Sequence, residues 1–402
     1  MPIEIRQPAE EELRDAMHAA EQGFGAGITD EDWERERITL PAQRAVAAFD
    51  DGRAVALAGA YEFELTIPGG QVPCAGVTWV GVLPTHRRQG ILRRLMAKQL
   101  VDVREWGEPI AALWASEAAI YGRFGYGLAV PSATLKADSG RYELRDDPGR
   151  QGTWRLVDAA TAFDLVRPVH DHVRRARPGM PTRTEHWWRN HRLADSENWR
   201  RGASEKFYAV LELDGAVAGY AIYRVKSEWE GGFAKGVVRV LEAVGTSPAA
   251  EREVWRYLFG IDLTTTVDVY PFDPASPLFL TVRDPRALHM GLHDGLWLRL
   301  VDVDAALRAR SYRSGQPVVV GVRDEFCPWN EGAYRLGAEP GRTDAAPELE
   351  LDVADLAAVY LGAFDFAHLA RADRVRELTP GALERASDLV HTPLPPFCPE
   401  VF

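Results

Sequence analysis

Along the chain the spacing of apolar residues changes period several times, and each change marks an element. Residues 8 to 23 place Leu13, Met17 and Ala20 on one stripe with acids filling the opposite face, which predicts an amphipathic helix. A second helix is expected around "TDEDWERERI", residues 29 to 38. The period then drops to two. Residues 44 to 65 read as strand, Asp-Gly turn and strand, the strongest short hairpin signal a sequence carries. "CAGVTWVGV", residues 74 to 82, is β-branched and aromatic and stops at Pro84, so it predicts another strand. Ile91, Leu92, Leu95, Met96 and Leu100 return to helical spacing, and "PIAALWA", residues 109 to 115, predicts a buried strand. Strand, helix and strand together make a βαβ-like unit.

The same order recurs. "FYAVLELDGAVAGYAIYRV", residues 207 to 225, again runs strand, Asp-Gly turn, strand, and "VVRVLEAVGTSP" followed by "EREVWRYLFGID" repeats strand then helix. This segment reads as a degenerate copy of the first, with Ser247, Pro248 and Ala249 where the first carries an arginine cluster. "DDPGRQGTW" near residue 150 is turn-rich and makes a linker. A third segment starts at "DGLWLRLVDVDAALRARSY", residues 294 to 312, and ends in the Pro-rich tail "HTPLPPFCPEVF".

Length and composition narrow the class. A chain of 402 residues, 46% hydrophobic and 10% aromatic, implies two or three folded domains rather than long disordered tails. The net charge of −12 disfavours a nucleic-acid footprint and biases the molecule toward cationic small molecules or lysine-rich partners. Cys74, Cys327 and Cys398 are far apart and show no metal-ligand spacing, so neither a metal site nor a disulfide framework is expected. No run of eighteen apolar residues appears and the N-terminus carries early acids, which predicts a cytoplasmic protein without membrane insertion.

Against that acidic background stands "VLPTHRRQGILRRLM", residues 82 to 96. A strand ending at Val82, a short turn and a helix from Gly90 put unpaired amides and the positive end of a helix dipole beside Arg87 and Arg88. That is an anion site able to hold a diphosphate without a metal. Taken alone, the stretch also suits a solvated basic turn whose arginines cover helix surface.

With the strand before it, the helix after it and "ASEAAIYGRFGYG" beyond, the stretch resembles the GNAT superfamily of acyl-coenzyme A N-acyltransferases. More closely, "VTWVGVLPTHRRQGILRRLM" with "ASEAAIYGRFGYG" is similar to the enhanced intracellular survival (Eis) acetyltransferases of actinobacteria, and the resemblance extends to "DGLWLRL", "YLGA" and the terminal phenylalanine. It implies an α/β (α+β) chain of tandem GNAT folds plus a sterol-carrier-protein-like domain. The expected division is 1–145 for a catalytic GNAT domain, 146–288 for a degenerate GNAT-like domain, and 289–402 for a carrier-like domain contributing a catalytic C-terminus. A homo-hexamer is implied as well. The superfamily's phosphate loop ends in a small residue after Gly90, where this chain has Leu92.

The resemblance also assigns roles. Arg87, Arg88, Gln89, Gly90, Ile91, Leu92 and Arg93 would hold the pyrophosphate of acetyl-coenzyme A. Backbone amides of Val80, Gly81 and Val82 would bind the pantetheine arm and the thioester oxygen. Ser116 and Glu117 match a pair lining the cofactor channel, although a Ser-Glu after a strand equally suits a helix cap. Tyr121 would be the general acid for the departing thiolate; a tyrosine before a Gly-rich turn also packs as core, and Tyr126 is a competitor. The resemblance implies that the carboxylate of Phe402 is the base; from the residues themselves no His-Asp pairing is visible, and His86, inside the arginine cluster, suits turn structure better. The implied substrates are cationic amines such as aminoglycosides or lysine side chains, with Phe24, Trp33, Trp79 and Glu400 as pocket candidates. A non-catalytic acyl-coenzyme A or lipid-binding protein that uses the carrier-like domain is the alternative.

Overall fold

The computed structural model describes residues 3–402 and divides into two units. The first holds the chain up to Val130 with Gly295–Pro396 and Phe402; the second holds Pro131–Asp294 with Phe397–Val401.

In the first unit β1 (Glu4–Arg6) is followed by α1 (Glu10–Gly23), whose Leu13, Met17 and Ala20 are fully buried as their spacing predicts. Glu10, Glu11 and Glu12 sit in the first turn, where they face the positive end of the helix dipole. Helix α2 (Asp30–Thr39) is capped by Thr29, and its buried residue is a carboxylate, Glu36. Strands β2 (Ala45–Asp50) and β3 (Arg53–Ile67) form the expected hairpin, with Asp51 and Gly52 both at positive φ as a type I′ turn requires.

Strand β4 (Gly70–Val82) pairs antiparallel along β3. It begins four residues earlier than the apolar pattern indicates, because the ladder with β3 continues through the polar segment before Cys74. Helix α3 (Ile91–Glu105) buries Ile91, Leu95, Met96, Leu100 and Val103 and leads to β5 (Ile110–Trp114). Parallel pairing of β4 with β5 covers only Cys74↔Ile110, Ala75↔Ala111 and Gly76↔Ala112; beyond Gly76 the two strands part. On the other side of β5 lies the strand Gly291–Leu300, antiparallel, with Leu296–Leu300 in register. The short helix α4 (Ala118–Tyr121) follows β5. A five-stranded sheet within Val318–Glu377, with central strands Val318–Arg323 and Leu349–Asp352 in parallel, completes this unit.

The second unit takes the part of β6 (Gly127–Asp138) from Pro131 onward, then β7 (Thr153–Val157), α5 (Ala159–Ala176), β8 (Phe207–Leu213) and β9 (Ala216–Lys226). After β9 come the strand Gly236–Gly245, the helix Pro248–Phe259 and the strand Thr264–Phe272. Helix, hairpin, strand, helix and parallel strand recur in the order of the first unit, including Asp214 and Gly215 at positive φ in the hairpin turn. The sequence repeat is therefore a structural one. Among the described residues no helix is long and apolar enough to cross a membrane.

Candidate active site

The parting of β4 and β5 is the geometric origin of the site. Along β4, Leu57 pairs with Gly81 and Gly59 with Thr78, so Trp79 and Val80 stand opposite the single residue Ala58. This is a β-bulge, which bends its strand and re-aims the residues beyond it. Trp79 takes a φ of 54°, a left-handed conformation rare for a bulky residue and of a kind that costs about 1–3 kcal/mol. Gly81 lies against the α1 backbone, where a Cβ would come within 2.5 Å of the Ala20 carbonyl oxygen. On the side that β5 has left, Val80–Val82 have no strand partner, and a strand paired on one edge presents its other edge unpaired.

A cleft of about 520 Å³ opens there. Val80, Gly81 and Val82 form one wall, Ser116, Glu117 and Tyr121 another, and Arg87, Arg88, Gly90, Ile91, Leu92 and Arg93 its basic end. Of the sequence-predicted residues near this cleft, Gln89 is the exception: it is exposed on the same turn and is not part of the wall. Gly23, Phe24, Ile120, Arg123 and Phe124 also line it and escaped the sequence reading, apart from Phe24 as a pocket candidate. Arg123 sat in plain view within "YGRFGYG".

Helix α3 starts in a way suited to an anion. Gly90 occupies the cap position at φ 76°, no side chain caps the helix, and no acid lies in the first turn. A Cβ on Gly90 would meet nothing within 4 Å, so that face is open. The first amides thus lack a side-chain partner, and Arg88, itself at φ 62°, and Arg93 add charge on the wall. Arg87 does more than supply charge. Its guanidinium donates to the carbonyl of Gly23 and, at 3.4 Å, to that of Val82, fastening the end of α1 to the end of β4.

Tyr121 is buried, yet it lines the cleft. Burial, with a smaller contribution from the Glu117 carboxylate, pushes its phenol up to about 12. Tyr126 packs edge-on to it at 5.9 Å, is fully buried, and lies off the wall with its hydroxyl unpartnered among the described residues. Geometry therefore separates the two tyrosines. Glu117 holds the cap position of α4 but makes no side-chain cap hydrogen bond, so the capping alternative for this pair is not realised.

Two expectations need correction. The fold does create a His-Asp pair: β2 brings Asp50 within 3.1 Å of His86 Nε2, while Nδ1 lies 2.8 Å from the Thr85 hydroxyl. Both ring nitrogens are thus engaged, which fits His86 to the turn. Glu400 is not a free pocket carboxylate. It is buried in the second unit, where one oxygen pairs with Arg183 and Arg192 and the other accepts from Trp187 Nε1 at 3.0 Å.

Phe402 lies in the first unit, half-buried, with its ring edge-on to Phe63 at 5.0 Å and beside Gly76, the last β4 residue paired with β5. Near α1 and α2 a further acidic group emerges that sequence reading missed. Burial, then the nearby Asp32 and Glu36 carboxylates, raise Glu21 above the usual carboxylate range. Among the described residues no cluster of three or more His, Cys, Asp or Glu could hold a metal ion.

In the second unit the corresponding helix start is closed. Ser247 caps the helix Pro248–Phe259 by accepting from the Ala250 amide at 3.2 Å, and Pro248 removes one amide donor altogether.

Comparison with known proteins agrees with this architecture. Residues 4–129 and 179–301 match two family models, each described as an acetyltransferase (GNAT) domain, and residues 303–399 match a sterol carrier protein domain. An uncharacterized N-acetyltransferase of Streptomyces avermitilis is 42% identical over 392 residues, 95% of either chain. N-acetyltransferase Eis of Mycobacterium tuberculosis is 32% identical over 394 residues, 94% of either chain. The crystal structure of Eis1 from Mycobacterium abscessus superposes with a TM-score of 0.87 at 34% identity over the whole of both chains. Two GNAT domains followed by a sterol-carrier-like domain, joined to identity of this extent along nearly the full length, make the chain a member of the Eis family of GNAT N-acetyltransferases.

Proposed function

We propose that the chain transfers the acetyl group of acetyl-coenzyme A directly to an amine, in a ternary complex built at the β4/β5 cleft. The observation that carries this reading is the continuity of that cleft from the uncapped, arginine-flanked start of α3 to the wall formed by Val80–Val82 and Tyr121. Arg88, Arg93 and the first amides of α3 hold the diphosphate, while Arg87 keeps the cleft walls together. Amides of Val80–Val82 hold the pantetheine arm and the thioester oxygen, and a donor of that kind is worth about 2.7–4 kcal/mol in the transition state. Ser116 and Glu117 border the channel, and Tyr121 donates toward the departing sulfur.

The carboxylate of Phe402 takes the amine proton; support comes from the seating of its ring against Phe63 and Gly76, where β4 and β5 separate. His86 offers no free ring nitrogen for that task. The substrate is a cationic amine of the polyamine type, such as an aminoglycoside or a lysine side chain. The chain's net charge of −12 supports this by attracting cations, and the Phe24, Trp33 and Trp79 rings add cation–π contacts of about 0.5–2 kcal/mol. Catalysis resides in the domain covering residues 1–145; residues 146–288 form a GNAT-like domain without cofactor, and 289–402 the carrier-like domain.

A thiol-release assay with acetyl-coenzyme A and a panel of polyamines, aminoglycosides and lysine peptides tests the proposal. Turnover with at least one amine class, abolished by omitting the amine, is expected. Tight lipid binding with no turnover on any amine overturns it.

A further inference from the structure

The bulge that opens the cleft is held by a chain of three side chains. Trp79 Nε1 donates to the Tyr61 hydroxyl at 3.1 Å, and that hydroxyl donates to Glu36 Oε2 at 2.7 Å. Tyr61 is buried on β3, and Glu36 is the buried residue of an otherwise polar helix, α2. A ten-residue helix that docks through a carboxylate has given up the usual apolar stripe, and a buried carboxylate is tolerated only where it is well hydrogen-bonded. Tyr61 and Arg35 supply those bonds. The chain ends on Trp79, the residue at φ 54° that generates the bulge.

We infer that Glu36 and Tyr61 are positioning residues for coenzyme A binding: the carboxylate–phenol–indole chain fixes the Trp79 bulge and so aims the Val80–Val82 edge into the cleft. The inference rests on the coenzyme A reading of the cleft but adds to it residues that line none of its walls. With Tyr61 anchored to Glu36, the indole N–H has a fixed acceptor and the bulged turn has one preferred geometry. Without the phenol hydroxyl, the indole is untied and the strand edge samples other orientations.

Three full-length variants test it: Tyr61→Phe, Trp79→Phe and the double substitution, each checked for native far-UV circular dichroism. Coenzyme A affinity is read by calorimetry, and amide exchange is read across residues 77–83. Both single changes remove the Trp79–Tyr61 bond, and Tyr61→Phe removes the bond to Glu36 as well, so each should weaken coenzyme A binding about five- to tenfold and speed exchange at Trp79–Val82. The double variant should be no weaker than Tyr61→Phe, the mark of two groups acting through one interaction. In Tyr61→Phe the KM for acetyl-coenzyme A should rise by a larger factor than that for the amine. Unchanged affinity in the single variants, or losses that multiply in the double, overturns the inference. Failure of the wild-type chain to bind coenzyme A would instead count against the functional reading; exchange at Trp79–Val82 in Tyr61→Phe then still decides whether the chain of bonds holds the bulge.

Discussion

Replacing Tyr121 by phenylalanine tests how the leaving sulfur is helped, and the structure sets the size of the effect. The ring belongs to the same buried cluster as Ala75, Val77, Met96 and Leu113 and stands edge-on to Tyr126, so phenylalanine keeps the packing and the fold should lose less than about 1 kcal/mol. Burial holds the phenol at about 12, and a proton passing fully from there to a thiolate near 8.5 climbs about 5 kcal/mol. Stoichiometric proton donation is therefore disfavoured early in bond breaking. On the proposed reading the hydroxyl would offer a hydrogen bond to developing negative charge, worth about 1.5–3 kcal/mol, or about 10- to 150-fold in rate.

Tyr121→Phe should thus lower kcat by that factor, with coenzyme A affinity held within about twofold, in a thiol-release assay at saturating amine. The sign of the pH effect comes from the raised phenol: the neutral donor persists until pH approaches about 12, so the ratio of wild-type to variant rates should be flat from about pH 7 to 10. A loss above about a thousandfold would show complete proton transfer and refute the burial argument. So would a ratio that collapses with a midpoint near 10, the unperturbed phenol. Equal rates would remove Tyr121 from the mechanism.

Gly90→Ala should raise the coenzyme A Kd measured by calorimetry while costing about 1 kcal/mol of stability, since φ is 76° there but a Cβ clashes with nothing. Extending the chain by a few residues beyond Phe402 should depress kcat much more than coenzyme A affinity; full activity in such a protein would point to a different base. Glu242 pairs with Arg183 inside the second unit, and Arg183 with Arg192 holds its carboxyl well below the usual range although burial opposes this. Glu242→Gln should therefore destabilise the protein by about 3–5 kcal/mol at pH 7 in urea unfolding. Because the folded value is depressed, the wild-type advantage is present above the unfolded value near 4.3 and should shrink as pH falls below it; a difference that stays constant to pH 3 would contradict the pairing.

Local period made much of this legible. The stripe of Leu13, Met17 and Ala20, the two Asp-Gly hairpins and the helix starting after Gly90 can each be read from spacing alone. The repeat emerges because the same local signals recur in the same order. Helix α2 shows where such reading stops. "DEDWERER" presents no apolar face, and nothing in its pattern says that Glu36 turns inward, because the reason lies on β3 with Tyr61. The early start of β4 was hidden likewise: Pro73 argues against a strand interior, yet β3 supplies a partner that holds it in register with Glu64. Asp50 and His86 meet only through the folding of β2, and the pairing of Gly291–Leu300 with β5 joins residues far apart in sequence. Glu400 is a pocket candidate through the resemblance alone; two arginines and an indole claim it in the fold.

The two GNAT domains differ at the one junction where anion binding is decided. Both carry a strand with a bulge before a helix, at Trp79–Val80 in the first and between Val240 and Glu242 in the second. In the first, the helix begins with an open glycine and no capping side chain, leaving its amides for a ligand. In the second, Ser247 satisfies one amide and Pro248 deletes another. The extra residue at the second bulge is Leu241, and the next, Glu242, is paired with Arg183. A diphosphate approaching there would find fewer donors, which weakens binding. A glycine at position 247 would leave the proline in place. On the proposed reading, anion binding in that half is opposed by Ser247 and Pro248 together, so a single substitution should not restore it.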